Sequence, residues 1–450
     1  MINEINDKIS AFTKVLDTLE FIENYNLYME KVKKDITICS SLENMIINKQ
    51  SWMGISLSII THNKDLLNYK YSFLNVKQLE DIFIQIHSLI KKRVSFSEFE
   101  IRNLDTSSLY CNCDYSSKIS NMFKFYLKCI FNEIIFISKV KPEVKMEIET
   151  IEKEYVNVKK FEKINVIFEN IIALSGQVIV KVDKRQYHGA KRHKLVKNID
   201  QIKKNDIFVL AKKTIKQLNT NLKSIEVEPG IYPIVFGSGE GSFFIHEIIG
   251  HLLETDYVTK KNNINIGAKL TDVELTIYDQ KEILVSDKSQ VLKKKSGLNF
   301  IRKLLVDRGT LKNFINSEGD YNSNVRSSYI YDEIPRMSCI YIKNGNIKPN
   351  KIIESIDNGY YVVDFIYGNL NPKTLNFRLK ASEAYKIING EIVNPVNDLI
   401  LESNALKALT NLALIGDNLS FYPIKCFKNG QIIWTEAGQP TLRVNKIKVY

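Results

Sequence analysis

Apolar and polar positions follow two different rules along this chain, and the rule changes near residue 229. In the first part, apolar residues recur at helical spacing over residues 4–37, predicting an amphipathic helix broken near Asn24 to Asn26. Strands are predicted over 52–61 and 69–75, with Asn63-Lys64-Asp65 turning between them. Leu79, Ile82, Ile84, Ile86 and Ile90 predict a helix over 79–91, and residues 116–136 carry helical spacing that a strand could also hold. β-branched residues alternate with charged ones over 144–156, 162–172 and 176–184, the signature of three strands. A helix over 199–221 then leads into the second part.

From Pro229 onward, turn formers set the pattern. One proline (Pro142) and three glycines (Gly54, Gly176, Gly189) precede it, whereas eight prolines and sixteen glycines lie between Pro229 and the C-terminus. Dense turn residues between short apolar runs predict many short strands. These fall over 232–236, 273–279, 303–307, 310–315, 336–342, 359–365, 374–379, 384–388, 425–428 and 441–449, with one helix over 403–413. Between the first of them and a following helix lies Gly237-Ser238-Gly239-Glu240-Gly241, which lacks the Lys-Ser/Thr ending of a phosphate-binding loop. The fold class is α+β. A mixed α/β N-terminal domain (residues 1–228) precedes a mainly antiparallel, barrel-like β C-terminal domain (residues 229–450).

Composition narrows the classes. The chain has 450 residues, of which 44% are hydrophobic and 25% charged, the balance of a globular protein with a sizeable core. No apolar run reaches the roughly 18–20 residues that span a bilayer. The start of the chain also lacks the basic and apolar regions of a signal peptide, so the expected location is cytoplasmic and no membrane partner is expected. The formal charge is +12, but acidic residues are interleaved with basic ones. The densest basic run, residues 184–194, matches no nucleic-acid-binding motif, and no nucleic-acid partner is expected. Six cysteines, mostly isolated, make no disulfide framework. Cys39, Cys129 and Cys339 read as core residues, and Cys111-Asn112-Cys113 has no second pair nearby to complete a metal clip.

Candidate chemistry concentrates in His246-Glu247-Ile248-Ile249-Gly250-His251, which holds two of the six histidines and a carboxylate. Two imidazoles can hold zinc and a neighbouring Glu can act as base toward its water. The usual zinc-protease helix spaces its histidines i and i+4. Here they stand i and i+5, roughly 140° apart on a regular helix. A π-type bulge would bring such a pair together, and Gly250 stands where a helix can widen or end. A hydrolytic zinc site needs a third protein ligand. Glu254, Asp256 and Cys426, the last in a polar and turn-rich segment, are all candidates by residue chemistry.

The wider pattern resembles a known family. Gly230-Ile231-Tyr232-Pro233-Ile234-Val235-Phe236, followed by His246-Glu247-Ile248-Ile249-Gly250-His251-Leu252-Leu253-Glu254-Thr255-Asp256, is similar to the signature of the TldD/PmbA metalloproteases. Three later blocks agree in order: Tyr329 through Pro335-Arg336-Met337-Ser338; Ser382-Glu383-Ala384-Tyr385 with Gly390 and Pro395; and Ile415-Gly416-Asp417-Asn418-Leu419, Cys426 and Gly438-Gln439-Pro440-Thr441-Leu442. The resemblance implies a two-domain protease holding zinc, or iron, through His246, His251 and Cys426, with Glu247 as general base. It implies a homodimer, or a heterodimer with a PmbA/TldE-like subunit, cleaving short or unfolded peptides that include modified-peptide precursors. The alternative is a catalytically inactive peptide-binding or scaffolding subunit of such a complex. Ile248, Ile249, Leu252, Thr255 and the segment Ile366-Tyr367-Gly368-Asn369 depart from the family's smaller residues, which bears on the shape of the substrate channel.

Overall fold

The computed structural model describes residues 2–40, 45–98, 114–134, 142–161, 164, 166–182, 185–257, 264–280, 302–316, 324–325 and 327–450; Cys111-Asn112-Cys113 lies outside the described residues. Seven strands of the first part form one sheet. They are β1 (Ile22–Cys39), β2 (Met45–Thr61), β3 (Leu66–Ser72), β4 (Phe96–Glu98), β5 (Glu143–Lys159), β6 (Val166–Val182) and β7 (Arg185–Val196). Their order is β4-β3-β2-β1-β5-β6-β7, antiparallel except for the β3–β4 pair. Four helices accompany them: α1 (Ile2–Asp17), α2 (Val76–Lys91), α3 (Asp114–Ile134) and α4 (Lys204–Leu222).

The helices cover one face of the sheet. Ile9, Phe12, Leu79 and Phe83 pack against Leu27, Ile55 and Leu57, while Phe123, Tyr126 and Leu210 pack against Val144, Met146 and Leu174. Side chains alternate across a strand, so Glu30, Gly54 and Glu149 belong to the opposite face. That face receives the second part of the chain. Ser328 Oγ and the Tyr329 amide donate to Glu30, and Trp434 Nε1 donates to Glu149 at 2.9 Å.

Two expectations for this region are corrected. The helix expected to reach residue 37 ends at Asp17, and residues 22–39 are β1. β1 pairs along its length with β2 and β5 and is covered on both faces. The period-2 alternation therefore blurs into the continuous burial of Leu27 through Glu30, which a helical period fits as well. The strands expected over 162–172 and 176–184 are one strand, β6, running through Gly176. A Cβ there would collide with the Tyr126 hydroxyl, so this glycine marks a close approach and not a turn. The basic run at 184–194 falls on β7, beside α4, whose Gln217 side chain accepts from the Ala190 amide at 2.7 Å.

The second part begins with β8 (Gly230–Phe236). It continues through β9 (Ile277–Gln280), β10 (Arg302–Asp307), β11 (Thr310–Leu311), β12 (Asn324–Val325), β13 (Ile334–Pro335) and β14 (Cys339–Ile342). After α5 (Pro349–Glu354) come β15 (Asn358–Leu370), β16 (Asn376–Ile388), β17 (Glu391–Val396) and β18 (Ile400–Asn404). After α6 (Ala405–Thr410) come β19 (Leu412–Ile415), β20 (Ser420–Lys428), β21 (Gln431–Gln439) and β22 (Leu442–Val449). Strands β15, β8, β22, β18 and β16 close on themselves through the β15–β16 pairing, giving a five-stranded barrel, mainly antiparallel as expected. A second sheet, β11-β10-β9-β14-β21-β20, packs beside it. The strands expected over 374–379 and 384–388 are the single strand β16, and the helix expected over 403–413 shortens to α6 before β19. β17, β18 and β21 had no counterpart in the apolar pattern; β17 exposes most of its side chains, so burial never shaped its sequence.

One buried cation joins β7 to the barrel. Lys191, 2% exposed, places Nζ 2.7 Å from Glu240, 2.9 Å from Asp364 and 3.0 Å from Glu383. Burial pushes the Glu240 carboxyl up, but Lys191 and Lys213 outweigh it and hold it below the ordinary range. Removing one partner of a buried ion cluster leaves charges without water or counter-ion. Lys191→Met should therefore destabilise the protein by about 3–5 kcal/mol near neutral pH. Equal denaturation midpoints for variant and unmodified protein would remove this residue's structural role.

Candidate metal centre

β8 ends at Phe236, and the chain reverses through Gly237 to Gly241. Gly239 takes a φ of +71°, a conformation that L side chains rarely adopt. The next turn is fixed by Ser242, whose hydroxyl shares its one proton between the carbonyls of Gly239 (2.5 Å) and Ala437 (2.9 Å). Ile245–Gly250 is then a π-helix, and the His251 amide donates to the His246 carbonyl. This wider turn brings together the rings that a regular helix would separate. Their centroids are 5.1 Å apart and nearly perpendicular at 81°. Gly250 does not break the helix, nor is its φ among the positive ones. It serves by its lack of a side chain, since a Cβ there would collide with Met337 Sδ.

The third element is β20. Cys426 lies within this strand, two residues before its end, and not in a turn; the turn follows at Asn429-Gly430, both with positive φ. Cys426 Sγ stands 3.7 Å from His251 Nε2, and the ligand atoms of His246, His251 and Cys426 all lie within 4.8 Å of one another. All three residues are buried. His246 Nδ1 is buried with no hydrogen-bond partner among the described residues, an unusual state for a polar atom unless a ligand satisfies it. Two imidazole nitrogens and a thiolate suit zinc or iron, so the residues present fit the group.

The other two candidates for the third ligand are engaged elsewhere. Glu254 Oε2 meets His251 Nδ1 at 2.7 Å and also accepts from Lys428 Nζ at 2.6 Å, while its Oε1 accepts from the Met337 amide at 3.1 Å. Asp256 accepts from Lys428 at 2.7 Å. Glu254 accepting from His251 Nδ1 would leave Nε2, the nitrogen nearest Cys426, as the ligating atom once a metal displaces its proton, the usual way a carboxylate sets the tautomer of a ligating histidine. Glu247 lies at the edge of the same group. Its Oε1 accepts from the Leu370 amide at the end of β15 (3.2 Å), and its Oε2 is 3.8 Å from His251 Nε2. Gly368 makes room for it, because a Cβ there would press on Glu247, Phe243 and Leu379.

Sequence reasoning about this site missed Lys428 and the interior role of Arg336. Arg336 is buried and donates to the carbonyls of Cys426 (3.0 Å) and Gln431 (3.3 Å). A signal for Lys428 was present, since it stands two residues after Cys426 and a strand puts such residues on one face.

The charges are strongly coupled. Burial opposes ionisation of the Cys426 thiol, but His246 and His251 outweigh it and hold the thiol well below its ordinary range. Burial likewise opposes a charged His251, and Glu254 and Cys426 reverse the balance. A lowered thiol pKa gives stability that is complete above the unfolded value of about 8.5 and lost as pH falls through the folded value. In metal-free protein the ultraviolet thiolate absorbance should therefore persist at neutral pH and vanish in Cys426→Ser. A Cys426-dependent absorbance appearing only in the ordinary thiol range would contradict the arrangement.

Residues 229–450 match the family model described as the PmbA/TldA metallopeptidase C-terminal domain. A "Metalloprotease TldD homolog" of Buchnera aphidicola is 30% identical over 252 residues, 53% of this chain and 52% of that protein. A "Zinc metalloprotease TldD homolog" of Saccharolobus solfataricus is 28% identical over 244 residues, 52% of this chain and 55% of that protein. The chain thus spans about half the length of the curated relatives it matches. In fold the likeness runs through the whole chain. TldE from Thermococcus kodakarensis superposes with a TM-score of 0.70 at 12% identity, covering 98% of this chain and 99% of that one. A candidate modulator of DNA gyrase from Bacteroides thetaiotaomicron gives 0.70 at 16% identity, covering 100% and 99%. By this match the second half of the chain, residues 229–450, which contains every residue of the centre described above, belongs to the PmbA/TldD metallopeptidase C-terminal domain family.

Proposed function

We propose that this chain is a metal-dependent peptidase in which His246, His251 and Cys426 hold zinc, or iron, and Glu247 is the general base. The observation that carries the reading is the convergence of three buried ligand atoms within 4.8 Å, with a carboxylate oxygen 3.8 Å from one of them. When bound, the metal supplies Lewis acidity and lowers the pKa of a coordinated water. The chain's own groups do the rest. The Leu370 amide fixes one oxygen of Glu247 and leaves the other facing the histidine nitrogen, where it can take a proton from water and return it to the leaving amine.

The substrate on this reading is a short or unfolded peptide bound through its backbone. Among the described residues, β15 pairs with β8 only up to Val362, and residues 364–370 have a strand partner on one side only. A strand edge of this kind, ending at the Glu247 contact, suits an extended peptide of varied sequence. Ile366 is the extra residue of a bulge in this stretch, and it faces a cavity of about 1270 Å³ between the N-terminal sheet and the barrel. We further propose that residues 1–228 and 229–450 are separate domains, and that the protein works as a homodimer or with a TldE-like subunit. The fold likeness to TldE supports the second arrangement.

Hydrolysis of unstructured peptides should be lost on chelation and restored by zinc. Glu247→Gln should lower the turnover by about 10²–10⁴-fold while metal content is unchanged. Full activity in that variant would remove Glu247 as base. Cys426→Ala should reduce bound metal by elemental analysis, and unchanged stoichiometry would hand the third position to another residue.

A further inference from the structure

We infer that Lys428 is the positioning residue that sets the Cys426 strand against the His251 helix, and so fixes the separation of these two donors. The inference rests on the metal-binding reading above and adds to it a residue outside the donor set. Cys426 and Lys428 stand at i and i+2 of β20, both buried, while Phe427 between them is 68% exposed. Both side chains therefore project from the inner face of the strand. Cys426 Sγ reaches His251 Nε2 at 3.7 Å; Lys428 Nζ reaches Glu254 Oε2 at 2.6 Å; Glu254 Oε2 meets His251 Nδ1 at 2.7 Å. These contacts close a ring: strand, lysine, carboxylate, imidazole, thiol, strand. The gap between His251 Nε2 and Cys426 Sγ is the place where a metal would join it.

The lysine is itself held in one direction. An ammonium has three N–H donors, and here they go to Glu254, to Asp256 at 2.7 Å and to the Pro335 carbonyl at 3.0 Å. Nζ also lies 4.7 Å from the centre of the Tyr257 ring, which stacks on His251 at 5.6 Å. One cation thus touches the carboxylate that orients His251 and the carboxylate and ring that follow it in the chain. It also holds the backbone just before Met337, whose amide donates to Glu254. A residue placed only to neutralise acid would not need the same face of the same strand as the thiol. Nor would it need every donor spent on the segments that frame the histidine.

The test uses the full chain with cobalt(II) as the probe, because thiolate ligation of cobalt gives a charge-transfer band. Lys428→Met should weaken cobalt binding by about 10- to 100-fold and diminish that band. The single variant leaves two carboxylates without their cation, so Lys428→Met/Asp256→Asn is measured beside it. That variant keeps the net charge and leaves the Glu254–His251 contact in place. It should unfold cooperatively like the unmodified protein and still show the weakened band. A folded double variant with unchanged cobalt affinity and an unchanged band overturns the inference alone. Absence of a Cys426-dependent band from the unmodified protein overturns the metal reading and this inference together.

Discussion

The hydrogen bond from the His251 amide to the His246 carbonyl is the constraint on which the rest of this molecule turns. It spans five residues where a regular helix spans four, and it thereby puts two imidazoles on one side of a helix whose sequence spacing would part them. A π-turn is seldom favourable by itself, so its surroundings must hold it. Ile245, Ile248, Ile249 and Leu252 are almost wholly buried in the core of the second half, which leaves the helix no freedom to rewind without exposing them. Gly250 lets Met337 lie directly against the widened turn, and the amide of that methionine donates to Glu254. The irregular helix and the segment that braces it are thus one packing unit.

How much of this was legible in the sequence depends on how local the cause is. The i, i+5 spacing stated its own requirement, a widened helix, because the period of an α-helix is fixed by the backbone alone. Cys426 was different. Nothing in its neighbourhood distinguishes a ligand from a core thiol, since the fact that matters is the pairing of β20 with β21 and the meeting of that hairpin with a helix some 175 positions earlier. Glu254 and Asp256 were drawn as rivals to it for the same reason. Sequence shows that carboxylates are near, but not that a lysine from β20 already occupies them. Long pairing also explains the error at residues 22–39. β1 has partners on both edges and cover on both faces, so the alternation that marks a strand was lost under burial from two directions.

Buried charge follows one design in three places. Glu30, Lys191 and Glu254 are each nearly inaccessible, and each is surrounded by several partners drawn from distant parts of the chain. A buried ion costs several kcal/mol unless it is paired and hydrogen-bonded, and such clusters tolerate little displacement of their members. Their value lies in alignment more than in stability. Lys191 sets β7 against the barrel, while Lys428 and Glu254 set β20 against the histidine helix. Glu30 sets the N-terminal sheet against the segment around Tyr329.

That last contact explains why the N-terminal sheet matters to a centre that contains none of its residues. Glu30 accepts from Tyr28, Trp52, Ser328 and the Tyr329 amide, all between 2.7 and 2.9 Å, and Gly54 opposite it leaves a notch into which the Tyr329 ring fits. Farther along, Lys70 donates to the Ile330 carbonyl at 3.1 Å, and Asn26 and Asn157 reach Glu333. The same run of chain then supplies the Pro335 carbonyl to Lys428, Arg336 to the Cys426 carbonyl, and the Met337 amide to Glu254. A strap fixed at one end to the sheet and at the other to the two elements that carry His251 and Cys426 ties the sheet to the placement of those side chains. Without the sheet, the strap would still reach Glu254 and Cys426, but its near end would be free. Its ordering cost would then fall on the contacts at the centre itself. The first half of the chain therefore contributes to the centre by holding the segment that holds it, which is why a site written entirely in the second half depends on a fold that spans both.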